Sequence, residues 1–115
     1  MQKTSILTLA ALLVVAPLAR AAEPTMTDMI GSAKTAADHE ALAAAYTKQA
    51  EEAKAHAAEH DAMGKTYSGA LREKLHFEEH CRAIAADFRS MAKDFEAMAA
   101  AHRTLAKQAA KQAAK

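Results

Sequence analysis

Ala36, Ala43, Ala50, Ala57 and Gly64, and then Ala85, Ala92, Ala99 and Ala106, stand seven residues apart in a chain that has no proline after Pro24. Small residues at this spacing fall on one stripe of a helix, and a chain that keeps the stripe for many turns must bury it against another helix. Larger residues keep the same period beside it. One position, a, holds His39, Tyr46, Ala53 and His60, then Cys81, Phe88, Phe95 and His102. Three residues on, position d holds Leu42, Gln49, His56 and Met63, and in the second half Phe77, Ile84, Met91, Met98 and Leu105. The small residues occupy the next position, e. An a/d seam sustained over four heptads is the signature of a coiled coil, and small neighbours let the two backbones approach closely. The two halves also align at an offset of 42 residues, with His39 on Cys81, Tyr46 on Phe88 and His60 on His102.

Between the halves, GKTYSG (64–69) is where glycines and a serine cluster, and it reads as a turn. Its GKT lacks the earlier glycine and the preceding strand that a phosphate-binding loop needs. Helix one is expected over about 36–64, with Thr35 and Asp38 forming a capping box. The turn follows at 65–69, and helix two runs over about 70–112 to a lysine-rich end that suits a helix C-terminus. The expected fold is all-α: an antiparallel two-helix hairpin, seamed by alanine as a coiled coil. One such hairpin buries little apolar surface, and Met63, Met91, Met98 and Leu105 lean to one flank. That flank suits a second hairpin, so a homodimeric four-helix bundle is expected.

The segment before the repeat is of another kind. Residues 1–21 have a basic start at Lys3, an apolar run from Ile6 to Val15, Pro17, and small residues at Ala19 and Ala21. This is the layout of a secretory signal peptide cleaved after Ala21, and its apolar run is too short for a membrane span. The expected location is therefore the bacterial periplasm, with no membrane span after cleavage. Residues 22–34 form an N-terminal segment with room for one short helix, and residues 35–115 are the hairpin. Losing Lys3 and Arg20 turns a net charge of +1 into about −1, which leaves no basic face for nucleic acid. The single cysteine cannot staple an exported fold internally.

The chemistry-bearing residues are histidines. HAAEH (56–60) and HFEEH (76–80) each place two imidazoles four residues apart, on one helix face. Six histidines in about 94 mature positions should give roughly 0.3 such pairs by chance, and two are present. A reversal at Ser68–Gly69 puts residues whose numbers sum to about 137 at one height. His56 then faces His80 and Cys81, and His60 faces His76. Imidazoles with a thiol suit copper, nickel or zinc better than magnesium or calcium. The expected metal set is His56, His60, His80 and Cys81, joined by His76; His39 and His102 form a second, smaller candidate at the far end. The competing reading is structural: polar side chains at core positions that set register and assembly. Haem, held by His60 or His102, ranks third, because an alanine seam closes the gap it needs and no CxxCH signal is present. Both pairs read HxxEH, as in one metallopeptidase class, yet a hairpin offers neither substrate cleft nor third ligand, so no enzymatic activity is expected.

DHEALAAAY (38–46), AAEHDAM (57–63), HCRAIAADF (80–88) and MAAAHRTLA (98–106) resemble segments of small exported alanine- and histidine-rich bacterial proteins of unassigned activity. In composition the chain is similar to periplasmic small metal-binding proteins, though with fewer histidines and without their dense repeats. That resemblance implies a helical metal carrier with one or two sites per chain at most. The function expected from the sequence is a non-catalytic, periplasmic protein that binds or sequesters a transition metal (copper, nickel or zinc). The alternative is a helical interaction or stress-protective module whose histidines tune assembly.

Overall fold

The computed structural model describes residues 21–67, 69 and 75–115; the signal-peptide reading of residues 1–20 lies outside them. Among the described residues the protein is all-helical, with three helices and no strand: α1 (Met26–Ser32), α2 (Ala36–Thr66) and α3 (Phe77–Ala113). None of these helices is long and apolar enough to cross a membrane.

Two capping boxes start the first two helices. Asp28 donates its backbone N–H to Thr25 Oγ1 while its carboxylate accepts the Thr25 N–H. At α2, Asp38 Oδ2 accepts the backbone N–H groups of Lys34 (2.9 Å) and Thr35 (2.8 Å), and Thr35 Oγ1 accepts the Asp38 N–H. Each box satisfies donors that the first helical turn leaves without a partner. The start of α3 differs. His76, immediately before it, has φ 55°, the left-handed region that side chains other than glycine seldom adopt.

α2 and α3 pack along their lengths in opposite directions. Tyr67 meets Phe77 near one end, then His56 meets Phe88, Tyr46 meets Phe95, and His39 meets His102 at the other. The seam uses mainly positions a and e, joined on α2 by Leu42 at d. Ala43, Ala50 and Ala57 on α2, with Ala85, Ala92, Ala99 and Ala106 on α3, are 0–3 % exposed. At Gly64 the helices leave little room: a Cβ there would lie 3.3 Å from Cys81 Cβ. Among the described residues, Leu42 is the one large side chain sealed completely.

The two edges of the seam differ in chemistry. On one edge the b positions pair across the helices: Thr47 with Arg103 (3.0 Å), Lys54 with Glu96 (2.6 Å) and Asp61 with Arg89. On the other edge stand the d positions. In α3 these were expected in the seam, yet Phe77, Ile84, Met91, Met98 and Leu105 are 39–45 % exposed. Alanine at e explains the difference. The helices approach so closely over the small residues that the contact line rotates from a/d toward a/e, and the bulkier d side chains are left on the flank.

Candidate functional site

The facing pairs fix the register of the two helices. Their residue numbers sum to 141 for His39 with His102 and to 150 for Asp61 with Arg89, against the expected sum of about 137. α2 ends at Thr66 and α3 begins at Phe77, and the expected reversal point, Ser68, lies outside the described residues. These sums exceed the expected one by 4 and 13 residues, about one to three and a half helical turns, and the difference decides which histidines meet.

Near the connection the histidines take partners other than one another. His56 is exposed, with Nδ1 3.2 Å from Glu59 Oε2, and its ring lies 5.0 Å from that of Phe88. His60 is half-buried and stacks on the same phenyl ring at 5.8 Å. Both imidazoles of the HAAEH pair thus lean on Phe88, and the His60 Nδ1 is buried without a hydrogen-bond partner. His76 precedes α3 in its left-handed conformation and turns its Nδ1 to Glu79 at 2.8 Å, so it and His80 do not form a pair within one regular helix. His80 is exposed. Cys81 is a free, buried cysteine packed against Gly64, and its thiol makes no bond to His60 Nδ1. Among the described residues, no three His, Cys, Asp or Glu side chains converge on one point.

The far end is arranged differently. His39, half-buried on α2, and His102, 9 % exposed on α3, point Nδ1 at Nδ1 across the seam at 3.2 Å. Their ring centroids are 5.4 Å apart and the planes are inclined by only 27°. That separation is nearly the nitrogen gap plus one ring radius on each side, a head-to-head arrangement in which the two nitrogens face each other. Tyr46, one heptad after His39, stacks on His102 at 5.6 Å with an interplanar angle of 14°. The neighbouring Asp38 carboxylate is committed to the cap of α2. Its backbone hydrogen bonds from Lys34 and Thr35, with that from the Thr35 side chain, hold its pKa below the usual carboxylate value.

Of the seven residues singled out in the sequence, the structure therefore brings His39 and His102 into direct contact. It leaves His56 and His60 on Phe88, His76 on Glu79, Cys81 against Gly64 and His80 exposed. Two contributors were missed: Phe88, which receives both HAAEH rings, and Tyr46, which covers His102. Both are aromatic residues at position a, so the heptad frame placed them in the seam. It did not say which histidine each would meet.

A second candidate is a surface. All six exposed large apolar side chains of the facing helices, Met63 with Phe77, Ile84, Met91, Met98 and Leu105, stand at d positions. Between the helices on this side lies an open groove lined by Gln49, His56, Phe88, Met91 and Phe95. No known protein family, curated protein or solved structure matches the chain.

Proposed function

We propose that this protein is a non-catalytic association module of the periplasm: an alanine-seamed, coiled-coil hairpin that completes its core by packing its d face against a second copy, forming a four-helix bundle. The observation that carries this reading is the row Phe77, Ile84, Met91, Met98 and Leu105, each about two-fifths exposed at an unbroken spacing of seven. A seven-residue apolar repeat stays aligned only with another helix that supercoils with it. The seam with α2 is already filled by the a and e positions and Leu42, so the exposed part of this row has no partner among the described residues.

A second copy is the occupant that the quantities favour. Six large side chains, each about two-fifths exposed, offer on the order of 500 Å² per chain. Two such faces approach the ~1,000 Å² that a specific interface requires. The pair also needs help, since a domain of this size with one fully sealed large side chain is marginal alone. The opposite edge, occupied by the Thr47–Arg103, Lys54–Glu96 and Asp61–Arg89 pairs, offers no comparable apolar face.

Sedimentation equilibrium of the mature chain tests the proposal. The expected mass is twice that of one chain, and Met91→Glu with Met98→Glu halves it while the helix content by circular dichroism persists. A single-chain mass for the unmodified protein at all concentrations, or a double variant of unchanged mass, refutes it.

A further inference from the structure

We propose that His39 and His102 form a transition-metal clip, a two-imidazole site for zinc(II), nickel(II) or copper(II) that ties the start of α2 to the last turns of α3. The site lies within one chain and is independent of the association face. Its first support is the bite distance. With the Nδ1 atoms 3.2 Å apart, an ion about 2.05 Å from each sees them at about 103°, close to the ~109° of a tetrahedral site. The second is chemistry: neutral imidazole nitrogen is a preferred ligand of these three metals. The third is support. His102 is buried and backed by the Tyr46 ring, so one ligand is held in place before the ion arrives.

Without metal, a head-to-head pair must share one proton, Nδ1–H on one ring donating to Nδ1 on the other. Binding replaces that proton. Two nitrogen–metal bonds form, the bridging hydrogen bond breaks, and the ring that held the Nδ1 proton loses it to solvent and takes one up at Nε2. Between neutral imidazoles no net proton is released. The lone pairs must each swing about 40° off the line joining them to converge on the ion, a turn about the histidine χ2 torsion, which is broad. With Asp38 engaged as a cap, water completes the coordination shell, so the bound ion remains exchangeable.

Isothermal calorimetry with zinc(II) or nickel(II) alone, on the full mature chain, tests this. One ion per chain is expected. His39→Gln, at the half-buried position, weakens binding at least about tenfold, while His56→Ala with His60→Ala leaves it unchanged. The Met91→Glu/Met98→Glu chain binds as the unmodified protein does, which separates failure of the clip from failure of self-association. Should His102→Gln unfold the protein, the histidine ring resonances of the unmodified chain decide: zinc(II) shifts those of His39 and His102 before the other four. Absence of binding, affinity indifferent to His39→Gln, or affinity lost in the His56/His60 variant overturns the proposal.

Discussion

Met91 stands at the middle of the apolar row and keeps 45 % of its surface exposed, more than any other residue in it. Truncating it to alanine separates a solvent-facing methionine from an interface methionine. In an isolated chain, removing an exposed side chain from a helix changes stability by within about 0.5 kcal/mol, and alanine is the better helix former. In the paired bundle the exposed part becomes covered. Burying a whole methionine is worth about 1.5–3 kcal/mol, so covering somewhat under half of it contributes about 1 kcal/mol per chain, or about 2 kcal/mol per dimer. The dimer dissociation constant of Met91→Ala should therefore rise roughly 30-fold. Sedimentation equilibrium over a range of concentrations reads the constant directly, and thermal melting below it reads the stability of the single chain. A dissociation constant that Met91→Ala leaves unchanged would refute the claim that this row is the contact surface. So would a loss of monomer stability equal to the loss of association.

Two further outcomes follow from the local geometry. Because its capping hydrogen bonds hold the Asp38 pKa below the usual carboxylate value, its contribution to stability is complete above about pH 4 and is lost as pH falls through the lowered value; Asp38→Asn should flatten the acid limb of helix content followed by circular dichroism between about pH 2 and 5. At Gly64, where an added Cβ meets Cys81 Cβ at 3.3 Å and the Glu78 carbonyl oxygen at 3.7 Å, leucine should destabilise the helix pair by about 1–3 kcal/mol. Alanine at Gly64, gaining up to about 1 kcal/mol in helix propensity against that tight contact, should change the melting temperature far less.

The paired histidines show where reading along the chain stops. HAAEH does place His56 and His60 on neighbouring turns of α2, as its spacing requires. Whether the two rings meet a thiol, another imidazole or a phenyl ring depends on the axial offset of α3, and a shift of about two to three turns set Phe88 there. HFEEH has the same spacing, but His76 stands before the helix in a left-handed conformation, and so its i,i+4 geometry is not that of two residues inside one helix. Nothing in the local pattern distinguishes the two cases.

Helical periodicity, capping and the small-residue stripe are short-range properties, carried by spacings of three, four and seven residues. For that reason the all-helical class, the Thr35–Asp38 cap and the alanine-lined contact face were present in the amino-acid order alone. Tertiary packing decided the rest. How closely the backbones approach over alanine rotated the seam from a/d toward a/e and left the d row of α3 outside. The offset of α3 along α2 set the register that joins His39 to His102. Both outcomes minimise contact energy over the whole length of two helices at once, and no short window of residues contains that sum.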